Sequence, residues 1–295
     1  MPRASRLLFA AVSGVLLAVL GVAGAFAQDG TAEALRQKKL AVAEALFEIE
    51  HGEDTIVAWR AMLLREGAMP DCDCGEDQTI RHRINAAWRA AVEEAFDIER
   101  FRRVFNTVLV PSYTLQELER ILAFRRSALG RRLSQLERPR TKDQDGDDLT
   151  RLARARRALD GKPSRKAIVL EITTLKGGAA ALADALINVS VGSAIGALGM
   201  QTRAGLAVTP DEIVARIEAG RPQMVKALGP VVLAHNADIY QGLSLKELSQ
   251  YRDTLASPLG RKSVRQSLAA FGQAMRGQAI EIGARFVASY RAEAL

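Results

Sequence analysis

Apolar residues recur at roughly helical spacing along most of this chain. Leu35, Leu40, Val42, Leu46 and Phe47 form one such series, and Ile56, Trp59, Met62 and Leu63 form the next. Residues three or four apart share one helix face, whereas a half-buried strand needs strict alternation, so the pattern predicts helices. It breaks at Met69-Pro70-Asp71-Cys72-Asp73-Cys74-Gly75, where Pro and Gly mark a loop. It resumes with Ile80, Ile84, Trp88, Val92 and Phe96, continues through Ile98, Phe101, Phe105 and Leu109, and stops at Pro111.

Between Pro139 and Arg165 apolar spacing gives way to charge, Pro and Gly. Asp143, Asp145, Asp147 and Asp148 precede Arg151, Arg154, Arg156 and Arg157, which predicts a polar linker over 139–164 containing a short basic helix capped by Asp147 or Asp148. The acidic cluster does not make a calcium loop, because Gly146 falls before Asp147 instead of after a third acidic position. Beyond the linker, Gly177 to Met200 is strongly apolar, with small residues at Gly192, Gly196 and Gly199. Small-xxx-small spacing packs helices closely in membranes. Asp184 and Asn188 would sit near the middle of such a span, and the Asp alone would cost a few kcal/mol there, so a tightly packed helix pair of a soluble domain is the expectation.

The first 27 residues read as a signal peptide. Arg3 and Arg6 precede an apolar run from Leu7 to Ala25, and Ala25-Phe26-Ala27 fits the small-x-small cleavage rule, so cleavage is expected after Ala27. Retention of the run as an N-terminal anchor is the rival reading. The expected location is the periplasm, with no transmembrane helix in the mature chain.

The most informative feature is an internal match. Thr114-Leu115-Gln116-Glu117-Leu118 returns as Ser244-Leu245-Lys246-Glu247-Leu248, and Ser127-Ala128-Leu129-Gly130-Arg131-Arg132 returns as Ser257-Pro258-Leu259-Gly260-Arg261-Lys262. Both blocks share one shift of 130 residues, and seven of nineteen aligned positions are identical, so the chain is read as two related helical halves, 28–138 and 165–295. Thr114 with Glu117 and Ser244 with Glu247 each fit a capping box. Ser127 and Ser257 fit N-caps, and Pro258 suits a first helical position, where its missing N–H costs nothing. Gly130 and Gly260 then fall in a first turn, where the lack of a side chain allows two helices to approach. A leucine at Gly260 should be destabilising and an alanine mild.

At these residues the chain resembles domain-of-unknown-function family 2059, whose hallmark is a helix opening Thr/Ser-x-x-Glu-Leu, followed by Phe-Tyr-x-Ser-Pro-x-Gly and a Lys or Arg. The first copy keeps Phe124, Ser127, Gly130 and Arg131 but has Arg125 and Ala128 in place of Tyr and Pro. The second keeps Ser257, Pro258, Gly260 and Arg261 but has Thr254 and Leu255 at the aromatic pair. The resemblance implies an exported helical protein and carries over no catalytic residue.

Candidate chemistry is sparse. Cys72 and Cys74 are the only cysteines. In an oxidising compartment such a pair forms a local disulfide, remains as redox-active thiols, or joins His51, His82 or an Asp around a metal. The pair lacks a second Cys pair or a His-x-x-x-His, so no metal site is assigned. His235 aligns with Phe105 across the match and reads as a half-buried packing position. No Ser/His/Asp order, Gly-x-Ser-x-Gly or phosphate loop is present, so no catalytic residue and no cofactor is expected.

Composition agrees with helices: aromatics are 5% and hydrophobic residues 48%, a balance that fills a helical core more readily than a pleated one. The formal charge is +7, of which Arg3 and Arg6 belong to the leader, leaving +5 on the exported part. Arg102, Arg103, Arg125, Arg126, Arg131, Arg132, Arg138 and Arg140 form a basic run around the first motif, read as a solvated helix face or as a contact for an anionic surface. An exported protein meets no genomic DNA, and the exposed aromatics that stack on bases are too few, so no nucleic-acid partner is expected. Two function classes follow: a non-catalytic envelope interaction protein, or a periplasmic redox or metal-handling protein built on Cys72 and Cys74.

Overall fold

The computed structural model describes residues 30–66, 78–139, 148–201 and 209–292. The leader read at 1–27, the Cys72/Cys74 loop and Arg140 lie outside them. Every regular element among the described residues is helical, so the all-α class holds. The chain runs through α1 (Gly30–Ile49), α2 (Gly52–Glu66), α3 (Gln78–Ala95), α4 (Ile98–Leu109), a 3-10 turn at Val110–Ser112, α5 (Leu115–Arg126) and α6 (Ala128–Glu137). It continues with α7 (Asp148–Asp160), α8 (Pro163–Leu175), α9 (Gly178–Gln201), α10 (Pro210–Ala219), α11 (Arg221–Ile239), a 3-10 turn at Tyr240–Gly242, α12 (Leu245–Ala256) and α13 (Pro258–Ala292).

Corners carry the local signals that stop and start helices. Asp97 caps α4 by accepting the Arg100 N–H at 2.9 Å. Pro163 opens α8 at a position that needs no N–H donor. At the α1–α2 corner His51 takes a left-handed backbone (φ 53°), a region His enters more readily than branched residues do. Where α8 passes into α9, Gly177 and Gly178 take φ +88° and +53°, backbone that glycine adopts at no steric cost because it has no Cβ. Within the stretch Pro163–Leu198 an 18-residue window reaches a mean hydropathy of 1.6, long and apolar enough to cross a membrane by length and composition. The stretch consists of two helices interrupted at this glycine pair.

Two apolar clusters form the interior, and both draw on residues far apart in sequence. In the larger, Leu46, Trp59, Val92, Phe101 and Leu109 pack with Leu182, Phe271, Met275 and Ile282. Phe271 of α13 is the hub, with its ring 5.3 Å from Trp59 and 5.4 Å from Phe101. In the smaller, Leu133 joins Leu159, Ile172, Tyr240, Leu248 and Tyr251. Burying a large aliphatic or aromatic side chain contributes about 1.5–3 kcal/mol, so each half of the chain depends on the other for its core. The α3–α4 corner makes the same point in polar form. Gln278 of α13 accepts the Asp97 N–H at 3.1 Å and donates to the Asp97 carbonyl at 2.7 Å.

The short basic helix expected near Asp148 is α7. It is not a free tether: Leu152, Ala155 and Leu159 are buried, and α7 packs against α11. The three apolar positions recur every three to four residues, one helical stripe among many charges, which is enough to seat one face; Arg154, Arg156 and Arg157 remain exposed, while Arg151 is half-buried and pairs with Asp238 at 3.1 Å.

The glycines of the apolar second-half helix have the close-packing role their spacing suggests. A Cβ at Gly196 would lie 1.9 Å from the Ile280 carbonyl oxygen, and one at Gly283 would lie 2.0 Å from the Ser193 carbonyl oxygen. A Cβ at Gly192 would meet Ala279 Cβ at 2.6 Å. Helices α9 and α13 therefore cross backbone to backbone. Asp184 faces outward and forms a bidentate pair with Arg221 at 2.6 and 3.0 Å.

Candidate functional site

The two matched segments fold into the same elements in the same register. In each, a 3-10 turn leads to a capped helix, a serine corner and a second helix. The Thr114 N–H donates to Glu117 at 2.8 Å while the Glu117 N–H donates to Thr114 Oγ1 at 3.2 Å. Ser244 and Glu247 repeat the box at 2.7 and 3.2 Å. At the corners, Gly130 N–H donates to Ser127 Oγ and Gly260 N–H to Ser257 Oγ, both at 3.0 Å. Pro258 is the first residue of α13.

The corner glycines are tighter than the sequence suggests. A Cβ on Gly130 would lie 2.1 Å from the Phe124 carbonyl oxygen, and on Gly260 2.1 Å from the Thr254 carbonyl oxygen. Both obstacles are backbone at the end of the preceding helix, which cannot swing aside as a side chain does. The expectation that alanine is mild at Gly260 is therefore corrected: a single methyl already collides.

Cations tie the corners together. Lys262 Nζ donates to Glu117 at 2.7 and 2.8 Å, and Arg132 donates to Glu247 at 2.5 Å and to the Gly242 carbonyl at 2.5 Å. Positions 117 and 247 correspond under the shift of 130, and so do 132 and 262, so each capping carboxylate receives the cation of the other segment. The carboxyls of both Glu117 and Glu247 are held below the usual range. At Glu117 the largest cause is the Lys262 bond, and at Glu247 it is the Ser244 hydroxyl.

Two hollows flank this junction. A wide cleft of about 810 Å³ is bordered by Phe124, Leu129, Arg132, Glu247, Gln250 and Asp253. A narrower cavity of about 310 Å³ lies on the other side of Phe124 and Thr254, with Arg125 and Tyr251 in its wall.

Beside that cavity lies a buried ionic cluster that sequence reading did not find. Arg125 is 3% exposed, which corrects its placement in the solvated basic run. It pairs with Glu50 from the end of α1, and its Nη1 stands 3.7 Å from Glu137 Oε2. Glu137 Oε1 accepts Lys176 Nζ at 2.6 Å, the Tyr240 hydroxyl at 2.6 Å and the Tyr251 hydroxyl at 2.9 Å. Burial pushes the Glu50 carboxyl up to about 8, against the pull of the Arg125 charge. Glu137, equally buried, goes the other way, because the Lys176 and Arg125 charges and the hydrogen bonds from Lys176 and Tyr240 outweigh desolvation. Both tyrosines are held protonated by burial and by the Glu137 charge. Helices α5, α6 and α12, the corners that follow α1 and α8, and a 3-10 turn supply these six residues, so no local motif announces them. One signal existed: under the shift of 130 the counterpart of Arg125 is the apolar Leu255.

The remaining basic residues divide. Arg102 lies 4.5 Å over the Phe47 ring, Arg138 pairs with Asp54 at 2.8 Å, and Arg103, Arg126 and Arg131 are exposed. His51 approaches Asp54 at 3.5 Å, with its pKa lowered by burial and by Arg138. His235 is half-buried. Among the described residues no group of three or more His, Cys, Asp or Glu is placed to hold a metal. No family model, no curated protein and no solved structure matches the chain.

Proposed function

We propose that the chain is an exported, non-catalytic interaction protein of the bacterial envelope, and that its working surface is the cleft where the two corners meet. In this reading its halves are internal copies, in the manner of the family it resembles, and the mature chain is periplasmic, begins after Ala27 and carries no membrane span. The observation that carries the proposal is the reciprocal pairing of Lys262 with Glu117 and Arg132 with Glu247. It runs between two capped corners that face each other beside an open cleft with charged and apolar walls. That is the composition of a recognition surface, with apolar contact area and a polar rim.

A photoreactive residue at Gln250 or Asp253, in cells exporting the protein, should cross-link to an envelope partner, whereas one at Glu218 on α10 should not. Equal labelling at all three positions, or none, would overturn the reading. The redox or metal alternative rests on Cys72 and Cys74, outside the described residues. Thiol counting with and without reductant, beside metal analysis, decides it: two unreactive cysteines and no metal remove it.

A further inference from the structure

The narrow cavity has a chemistry of its own. Its wall is apolar where Ile121, Phe124, Leu255 and Leu259 contribute, and two arginines stand in it, Arg120 and Arg125. No acidic side chain is among its lining residues. Arg120 is exposed and makes no ion pair among the described residues. Arg125 is buried beneath, and its Nη1 makes no hydrogen bond among them. The guanidinium of Arg125 also lies 5.8 Å from the centre of the Phe124 ring, so positive charge backs an apolar surface. A volume of about 310 Å³ is at the small end of ligand pockets.

From this we infer that the cavity binds a small free monocarboxylate with an apolar body, whose carboxylate meets Arg120 and whose chain packs on Ile121, Phe124, Leu255 and Leu259. The inference rests on the corner junction being the working surface, but it concerns the cavity and not the open cleft.

Three observations favour an anion over a neutral or cationic guest. The first is a lining that carries two arginines and no acidic side chain, the carboxylates of Glu50 and Glu137 standing behind Arg125 and outside the wall. The second is Arg120, which has no ion-pair partner among the described residues to give up on binding, so the contact costs little beyond side-chain ordering. The third is the charge of the buried cluster. Below about pH 8 Glu50 holds its proton, and Arg125 with Lys176 then outweighs Glu137 by one positive charge. Water is scarce around that charge, and a nearby anion is attracted more strongly there than at an open surface. A peptide or a lipid bilayer could offer the same carboxylate or another anion, but the volume suits a single short chain.

The test uses the whole exported chain and three ligands of one chain length: octanoate, 1-octanol and octylammonium, titrated by calorimetry at pH 7 and low salt. Octanoate should bind once per chain, at least about tenfold more tightly than the other two, and Arg120→Gln should weaken octanoate about tenfold while leaving 1-octanol unchanged. Because Arg120 is exposed and makes no ion pair among the described residues, this variant should keep its melting temperature. Thr254→Trp, which fills the cavity, should abolish binding of all three ligands, with folding checked by circular dichroism.

Equal affinity for the three ligands, no octanoate binding, or an Arg120→Gln variant that binds octanoate normally would each overturn the assignment. So would capture by phosphatidylglycerol vesicles without octanoate binding, which would move the surface to a membrane. Cross-linking at Gln250 with no octanoate binding would leave the cleft reading standing and refute this one alone. Octanoate binding without cross-links would do the reverse.

Discussion

Single residues decide more here than their neighbours suggest, and Glu50 is the clearest case. Its carboxyl titrates near 4.5 in an unfolded chain and near 8 when folded. Between those values the folded state holds a proton that the unfolded state has lost, so stability falls as pH rises through that window and levels off above it. Glu137, shifted downward, contributes in the opposite sense: its stabilisation is present above the ordinary carboxyl range and is lost as pH falls through its lowered value. Thermal unfolding of the wild type should therefore be most favourable to the fold in mildly acid buffer. Glu50→Gln should flatten the decline between about pH 5 and 8, and an unaltered slope would mean that Glu50 is ionised in the folded state. The corner glycines give a second residue-scale test. Gly130→Ala and Gly260→Ala should each lower stability by about 1–3 kcal/mol, the range for overpacked positions, whereas Gly277→Ala, with open space around its would-be Cβ, should be neutral or mildly stabilising through helix propensity. Denaturant melts of the three variants separate the outcomes.

At the scale of elements, the helix caps and the helix crossings are the units that matter. Glu247→Ala removes half a capping box and the partner of Arg132 together, and should cost about 1 kcal/mol. Glu117→Ala, which loses Lys262 in the same way, should behave alike. In a double-mutant cycle with Arg132→Ala, the Glu247 pair should couple weakly, since both side chains are partly exposed and solvent screens them. The α9–α13 crossing is less forgiving. Gly196→Ala directs a methyl into a backbone carbonyl, so it should destabilise more than a Ser190→Ala change on the exposed side of the same helix. If the two variants melt together, α9 and α13 are not in close backbone contact.

For the whole molecule, the parts of the chain before and after residues 139–164 are not independent domains. Helix α13 belongs to the second half by sequence, yet Phe271, Met275 and Gln278 complete the interior of the first. A fragment ending at Arg138 should therefore lack a cooperative thermal transition, and adding the remaining chain as a separate piece should restore it. The same packing bears on proteolysis. Cleavage within 139–164 should concentrate before Asp148, because the α7 stripe of Leu152, Ala155 and Leu159 is buried and protease access requires local unfolding of the backbone. Mass mapping of the first products would check this, and early cuts inside α7 would contradict its docked position.

By itself the sequence determined what depends on near neighbours. Helical period identified Trp59, Val92, Phe101 and Leu109 as core. Caps placed the starts of α5 and α12 at Thr114 and Ser244, and small-residue spacing picked out Gly192 and Gly196. Each signal is written within a turn or two of helix, and hydrogen bonding and side-chain direction act over that range. Tertiary structure alone decided what depends on residues meeting from afar. Arg125 reads as one more surface arginine until Glu50 and Glu137 surround it. Gly260 reads as a site tolerant of alanine until the Thr254 carbonyl is placed against it, and α7 reads as linker until α11 covers its apolar stripe. Burial and charge pairing are set by the three-dimensional neighbours of a group, and those neighbours come from helices that local sequence rules do not bring together.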